Sequence, residues 1–301
     1  MNDLILHHYD ASPYSEKIRA LMGYKGLRWR SVEMPMIAPK PDLAALTGGY
    51  RRAPVLQIGA DIYCDSHLIA EVLDVQHPTP SIAATPGSRS DEAEAWVDGQ
   101  LFWHAASLFM GRHAEALPDP FLADRGAMLG TQLTREQLKA RLPAAEQAMD
   151  EALGFIDTEL LAAEFVNGAT PASADFALYA TLWFARNGGL DLAPAPRLLA
   201  WFQRLAGMGH GERLAMSAAE ALDIARNATP LALTPPATDT GLPGITVGSI
   251  IRIVPAHFGQ ESVTGELLAA TERQLSLKYS SPHCGVLHLH YPRQGYRVEL
   301  A

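Results

Sequence analysis

The chain has 301 residues with a formal net charge of −9, and 48% of its residues are hydrophobic. This length predicts two or three domains, because a single hydrophobic core rarely grows so large. The acidic balance excludes the basic stripe that nucleic acids require, and no apolar run approaches the ~18 residues of a membrane span, so we expect neither partner.

The first residues and the cysteines bear on the cellular compartment. The start, "MNDLILHHYDASPYSEK", has neither the basic region nor the long apolar core of a signal peptide. Only Cys64 and Cys284 occur, far apart in sequence, which is typical of a reducing compartment rather than of a disulfide framework. We therefore expect a cytoplasmic protein.

Residues 1–78 alternate between strand and helix patterns. "LILHHY" and "WRSVEM" predict strands on either side of the helical "SEKIRALMGYKG", and "APVLQIGADIYC" predicts a hairpin that turns near Gly59. "DSHLIAEVLDVQ" then has apolar residues at helical spacing, namely Leu68, Ile69, Val72 and Leu73. The order strand, helix, strand, hairpin, helix predicts a thioredoxin-like domain.

Residues 90–228 have the pattern of an all-helical domain, set off by a linker rich in Pro and Ser, "HPTPSIAATPGSRS". Thr134 and Gln137 form a capping-box pair ahead of one helix, and the apolar "ADFALYATLWFA" predicts a central buried helix with Thr170 as its cap and Pro171 at its first position. One helix face is apolar, through Met149, Leu153, Ile156 and Leu160. Residues 79–243 hold 11 basic and 20 acidic residues, which indicates a solvated helical surface.

Residues 244–301 return to strands after a second linker rich in Pro and Thr. Apolar and polar residues alternate strictly in "RQLSLKYS" and "GVLHLHY", and "SIIRIVP", "GELLAAT" and "YRVEL" add three more candidate strands. Five short strands predict a small β-barrel-like domain, because closure removes the exposed edges of a sheet. So small a core is expected to rest on the helical domain.

Three short motifs carry the chemistry of the first domain. "SPYSEKIR" has hydroxyls where redox proteins of this fold class carry Cys-Pro-Tyr-Cys, so a sulfur must come from another molecule or be absent. Taken alone, Ser12 is equally a helix cap with Pro13 at the first helical position. Pro54 in "RRAPVLQIG" is compatible with an ordinary strand start, and Asp65-Ser66 in "DSHLIAEVL" with a plain N-cap.

In this order, and ahead of a helical domain, the three motifs make residues 1–227 resemble the soluble glutathione S-transferase family. The resemblance implies that Ser12 faces the sulfur of bound glutathione, the co-substrate, with Ser15 as the alternative donor. It implies a cis Pro54, with Ala53 pairing with the tripeptide backbone, and a γ-glutamyl site at the residues that open the third helix, Asp65 and Ser66.

The resemblance also implies the type of reaction, a basic residue that binds the glycine carboxylate, and a homodimeric assembly. The thiolate of glutathione would attack a small hydrophobic electrophile, or assist an isomerisation or dehalogenation. The glycine carboxylate of glutathione needs a basic side chain, for which Arg52 is the first candidate, with Arg51 and Lys40 as alternatives. Members of the family usually form homodimers. In the first long helix of the second domain, several residues are candidates for the acceptor pocket: Phe102, Trp103, Met110 and His113.

Two departures from the family favour a second hypothesis. Ala172 stands where the family often has Ser or Thr, three residues before the buried Asp175, so that capping box is incomplete. The C-terminal strands are not part of ordinary members. The alternative is therefore a non-catalytic scaffold or binding protein whose C-terminal β domain docks a partner.

A histidine-rich stretch near the C-terminus raises the question of a metal. His288 and His290 share one strand face, near His283 and Cys284. That face lies opposite the Leu and Tyr side chains of the strand, so solvent exposure is the simpler interpretation. We predict no metal site.

Overall fold

The structure is a computed structural model that describes residues 3–84, 88–233, 240–259 and 261–301. The first part of the chain has the predicted order of elements. They are β1 (Ile5–His8), α1 (Pro13–Tyr24), β2 (Arg28–Glu33), α2 (Pro41–Thr47), β3 (Val55–Ile58), β4 (Asp61–Cys64) and α3 (Ser66–Gln76).

The sheet of this part is buried on both faces. β1 pairs in parallel with β2 and antiparallel with β3, and β3 pairs antiparallel with β4. Because successive side chains of a strand point to opposite faces, Leu6 joins the core with α1 and α3, whereas Ile5 packs with Val32 and Ala221 on the other side. The thioredoxin-like prediction is confirmed.

The second part is a set of helices packed against α1 and α3. It comprises α4 (Arg89–Trp96), α5 (Phe102–Arg112), α6 (Asp119–Leu129), α7 (Arg135–Phe155), α8 (Ser173–Asn187) and α9 (Pro196–Ala206), with π-helical turns at Val97–Leu101 and Ile156–Leu160. Thr134 and Gln137 cap α7 reciprocally, as predicted. α8 is the buried central helix, but it begins at Ser173 with Ala172 as its N-cap, so the cap predicted at Thr170 is wrong.

The chain then returns to the first sheet, which the sequence did not predict. β5 (Glu212–Ala215) pairs in parallel with β2 at the edge of the sheet, and α10 (Ala218–Asn227) packs beneath it. β5 has only four residues and is largely exposed, so it carries no readable alternation of apolar and polar side chains. Its position is set by pairing with β2 rather than by its own sequence.

All five predicted C-terminal strands are present. They are β6 (Ile250–Pro255), β7 (Val263–Ala270), β8 (Gln274–Ser281), β9 (Gly285–Pro292) and β10 (Tyr296–Leu300). β6 to β9 form an antiparallel meander, β10 returns to pair antiparallel with β6, and β9 pairs in parallel with β4. One sheet of ten strands therefore runs through the molecule, in the order β10-β6-β7-β8-β9-β4-β3-β1-β2-β5.

The fold class is confirmed, and the C-terminal β region takes the form of an open antiparallel sheet. No pairing between β9 and β10 closes it into a barrel within the ranges that the structure describes. The edge at β9 is covered by β4 of the first sheet, and the C-terminal strands share a core with α2, β3 and β4, so the expectation that they rest on the helical domain was wrong. The division into domains at 1–78, 90–228 and 244–301 stays a prediction.

Joining the two sheets buries the face of β9 that was expected to be exposed. His290 is 1% exposed, donates from Nε2 to Asp61 Oδ1 at 3.0 Å, and stacks on Tyr63. Its Nδ1 lies 2.9 Å from the Ser276 hydroxyl. The expectation of solvent exposure was wrong for His290, because β4 and its neighbours cover that face.

The described ranges have neither a cluster of metal ligands nor a membrane-spanning helix. They contain no group of three or more His, Cys, Asp or Glu side chains arranged to hold a metal ion. Their helices include none that is both long and apolar enough to span a bilayer.

Candidate functional site

The register of the first sheet brings the three motifs to one end of it. His7 of β1 pairs with Val55 of β3, which in turn pairs with Cys64 of β4. The end of β1, the start of β3 and the end of β4 therefore lie side by side. The segments that follow or precede these strands contain Ser12, Ala53–Pro54 and Asp65–Ser66, so the candidate residues converge although more than 50 positions separate the first from the last.

Ser12 caps α1 at this end of the sheet. Its Oγ accepts a hydrogen bond from the Ser15 N–H at 3.2 Å, and its carbonyl accepts from Glu16 N–H at 2.9 Å. Because the hydroxyl oxygen is the acceptor in the first bond, its hydrogen remains available for a ligand. Ser12 is 2% exposed. Ser15 lies within the first helical turn, fully buried, and its hydroxyl has no partner within the described ranges.

Ala53 and Pro54 directly precede β3. The peptide bond between them is cis, the isomer that the resemblance implied. Ala53 is partly buried, and Pro54 is buried.

Asp65 and Ser66 open α3 as predicted. Asp65 is the N-cap, and its Oδ1 accepts from His67 N–H at 3.0 Å. Its φ of 81° makes it the one non-glycine residue with a positive φ in the described part of the chain. Such a conformation costs about 1–3 kcal/mol and recurs at ligand sites. Ser66, at the helix N-terminus, is 7% exposed, and the free N–H groups there suit a carboxylate.

Arg52 is bound to the C-terminal strands in this structure. Its Nη2 donates to the Tyr296 hydroxyl at 2.7 Å, and its guanidinium lies between the rings of Tyr50 and Tyr296. Its Nε is 3.5 Å from a carboxylate oxygen of Glu261. The Tyr296 hydroxyl donates in turn to Asp65 Oδ2 at 3.1 Å, so one tyrosine connects two predicted ligand-binding residues.

The two alternative basic residues contact each other and α6. Arg51 forms an ion pair with Asp124 of α6. Lys40 Nζ donates to the Arg51 carbonyl at 2.9 Å, and burial together with the charge of Arg125 lowers the pKa of Lys40 to about 8. Lys40 and Arg51 thus connect α2 to the helical part of the chain.

A charged cluster that the sequence did not reveal supports the start of α3. Lys17 Nζ donates to Glu94 Oε1 at 2.7 Å, and both groups are nearly inaccessible. His67 Nδ1 lies 3.5 Å from the same carboxylate oxygen. Burial raises the pKa of the neighbouring Asp98, although the charge of Lys17 opposes the rise. Helical periodicity alone could not have found this cluster, because its members come from three different helices.

His8, at the end of β1, is a structural residue rather than a ligand contact. It is fully buried, its Nδ1 lies 3.1 Å from Arg19 Nη1, and its Nε2 lies 2.8 Å from the Ser31 hydroxyl. Burial, with the charge of Arg19, lowers its pKa to about 3. A neutral histidine in this position holds α1 against the sheet.

Two aromatic residues of α5 pack against α1 and against the C-terminal region. Phe102 packs on Tyr14 of α1 with ring centroids 4.9 Å apart, and Trp103 packs on Phe258 of the loop between β6 and β7 at 5.6 Å. The other two candidates face elsewhere: Met110 packs in a separate cluster, and His113 stacks on Phe109. The structure therefore places Phe102 against the Ser12 motif, and Trp103 beside Phe102 and Phe258.

Comparison with known proteins decides the family. Residues 6–81 match the model of the glutathione S-transferase N-terminal domain, and residues 136–204 match that of the C-terminal domain. A crystal structure of a GST-like protein from Pseudomonas syringae is 37% identical, with a TM-score of 0.76 over 100% of both chains. The chain belongs to the soluble glutathione S-transferase family.

Other glutathione S-transferases resemble this one over about two thirds of its length. Glutathione S-transferase U1 of Arabidopsis thaliana is 25% identical over 206 residues, which are 65% of this chain and 80% of the plant protein. The theta class glutathione S-transferase of Xanthomonas axonopodis pv. citri, solved with glutathione bound, has a TM-score of 0.53 at 21% identity and covers 68% of this chain and 92% of its own. The first supports a glutathione transferase-like function in general, and the second shows the fold.

Proposed function

We propose that this glutathione S-transferase binds glutathione along Ser12, Ala53–Pro54 and Asp65–Ser66, and that the thiolate attacks a small hydrophobic electrophile. The observation that carries the proposal is the convergence of these three segments at one end of the sheet. We call the space between these three segments and α5 the glutathione groove. The N-termini of α1 and α3 flank it, and each favours a negative charge. Asp65 would receive the γ-glutamyl ammonium, Ser66 the adjacent carboxylate, and Ala53 the peptide backbone.

The hydroxyl of Ser12 would stabilise the thiolate. A free thiol has a pKa near 8.5, so lowering it by about two units requires about 2.7 kcal/mol of differential stabilisation. A charge-assisted hydrogen bond and a helix N-terminus together supply an amount of this order. The thiol proton passes to solvent, and the sulfur–carbon bond forms as the leaving group departs or the acceptor carbon takes a proton from water.

The acceptor would lie between α1 and α5. Tyr14, Phe102 and Trp103 present aromatic rings there, and Phe258 adds one from the C-terminal region. An aromatic wall suits a hydrophobic electrophile such as an aryl halide. The same thiolate would also serve an isomerisation or a dehalogenation.

A matched pair of serine variants tests the proposal. Ser12→Ala is expected to lower kcat/KM with an aryl halide by about 100-fold, the effect of removing one donor from a developing or stabilised anion, while the Kd for glutathione changes little. Ser15→Ala is the control, because that hydroxyl lies inside the first turn of α1. Equal losses in the two variants would remove Ser12 from the mechanism.

The non-catalytic alternative has one observation in its favour. Ser12 and Ser66 are nearly inaccessible, and Tyr296 already engages Arg52 and Asp65. A scaffold that no longer binds the tripeptide would have such a closed groove. Absence of binding at millimolar glutathione, measured by isothermal titration calorimetry, would favour this alternative.

The assembly and the compartment also belong to the proposal. We infer a cytoplasmic homodimer, because family membership favours dimers and the cysteines suit a reducing compartment. Light scattering coupled to size-exclusion chromatography would report the mass in solution. A monomer at micromolar concentration would contradict the dimer without affecting the glutathione site.

A further inference from the structure

Tyr296 of β10 donates its hydroxyl to Asp65, the residue proposed above to receive the γ-glutamyl ammonium. We propose that the C-terminal β region is a cover over the glutathione groove, that Tyr296 is its latch, and that glutathione displaces the latch when it binds. The inference rests on the proposed function, because it concerns access to the same groove.

The first argument is competition for Asp65. Its Oδ1 accepts from the backbone N–H of His67, and its Oδ2 accepts from the Tyr296 hydroxyl. Because a backbone N–H already occupies Oδ1, we infer that an ammonium group that binds this carboxylate uses Oδ2, the oxygen that Tyr296 holds. The bound hydroxyl therefore stands in for the ammonium of the ligand.

The second argument is that the same hydroxyl also holds Arg52. It accepts from Arg52 Nη2 at 2.7 Å, while the guanidinium is further held by ring contacts and by the carboxylate of Glu261. Glu261 and Tyr296 both belong to the C-terminal region. That region thus supplies an anion and a hydroxyl to the basic residue that a tripeptide carboxylate would otherwise meet.

The third argument is that the cover reaches across the groove to the helices. The loop between β6 and β7 is joined to the turn before β10 by a hydrogen bond from Ala256 N–H to the Gly295 carbonyl, at 2.9 Å. Phe258 of that loop packs on Trp103, and Gly259 N–H donates to the Met128 carbonyl of α6. The loop therefore contacts α5 and α6, while Tyr296, next to the turn that the loop is bonded to, contacts Arg52 and Asp65.

The position of β10 lowers the free energy needed to release it from the sheet. It is an edge strand, paired with β6 on one side only, and its last residue, Leu300, is 60% exposed. Edge strands with few buried contacts open at lower free energy than the centre of a sheet. β8 and β9, by contrast, are paired on both sides and hold the base of the cover in place.

Calorimetric titration of the full chain with reduced glutathione tests the latch. Tyr296→Phe keeps the ring against Arg52 and removes only the hydroxyl, so we expect glutathione to bind about tenfold more tightly, the effect of one hydrogen bond to a charged group. Tyr279→Phe removes a hydroxyl from β8 of the same region and is expected to leave the Kd unchanged.

The other outcomes separate the latch from the proposed function. An unchanged Kd in Tyr296→Phe overturns the latch and leaves glutathione binding intact. Weaker binding in that variant overturns it too, because Tyr296 would then hold Asp65 in place for the ligand. If neither the natural chain nor Tyr296→Phe binds at millimolar glutathione, the proposed function fails and the latch with it.

Hydrogen exchange gives a second readout that does not depend on affinity. When saturating glutathione is added to the natural chain, amides of Tyr296–Leu300 are expected to exchange faster, while those of β8 keep their rates. Slower exchange in β10 on glutathione binding would show that the strand closes onto the ligand instead of leaving it, and would overturn the displacement.

Discussion

Replacing Lys17 by Met tests how much the buried pair of Lys17 and Glu94, in the charged cluster at the start of α3, contributes to stability. Lys17 is 2% exposed and pairs with Glu94, whose side chain is 10% exposed, at 2.7 Å. Removing one partner of a buried ion pair leaves the other charge without compensation, at a cost of about 3–5 kcal/mol. His67 stays 3.5 Å from Glu94, and that contact raises the pKa of the histidine, so we expect a loss near the lower end, about 3 kcal/mol.

The pKa of Glu94 determines how the destabilisation of Lys17→Met changes with pH. Burial alone would raise the pKa of Glu94, but Lys17 and His67 lower it below its ordinary value. A lowered carboxyl pKa stabilises the fold above the unfolded value near 4.3, and this stabilisation is lost as the pH falls toward the folded value. In Lys17→Met the pKa of Glu94 rises, so the destabilisation at pH 7 is expected to shrink near pH 4.5, where the carboxyl is partly protonated.

Urea unfolding followed by circular dichroism measures both quantities. The double variant Lys17→Met/Glu94→Leu removes both charges and is expected to recover most of the stability, because replacing a buried pair with apolar residues is often neutral. If Lys17→Met lowers the free energy of unfolding by less than about 1 kcal/mol, or by the same amount at pH 7 and pH 4.5, then Glu94 is not a buried uncompensated charge in that variant.

Two further predictions concern other buried histidines. Burial lowers the pKa of His7 to about 4 and of His8 to about 3, so both are neutral in the fold and gain a proton on unfolding below about pH 6.5. The free energy of unfolding is therefore expected to fall between pH 6.5 and pH 4, by up to about 1.4 kcal/mol per pH unit for each histidine. Urea unfolding of His7→Gln, measured at several pH values, should show a smaller fall. His290→Leu removes the donor to Oδ1 of Asp61 at the junction of β4 and β9, while Oδ2 still accepts from Leu231 N–H, so we expect a loss of about 1–3 kcal/mol in thermal or urea unfolding. An unchanged midpoint would show that this bond does not hold β4 and β9 together.

Local patterns were sufficient for much of the fold and for the position of the site. The strands β8 and β9 follow from alternation of apolar and polar residues, and α7 from its capping box, because each depends on residues a few positions apart. The same reason holds for Ser12 and Asp65. A helix cap is a contact with the next two or three residues, so its position can be read from a short motif.

The tertiary structure alone decided what covers that site. The hydrogen bond between Tyr296 and Asp65 joins residues 231 positions apart, and the pairing of β9 with β4 depends on which strand edge lies nearby. The alternation in β9 predicted one exposed face, but the neighbouring strand buried His290. Amino-acid order determines local conformation and the chemistry available at each position. Contacts between distant segments depend on how the whole sheet packs, and for this protein those contacts determine access to the groove.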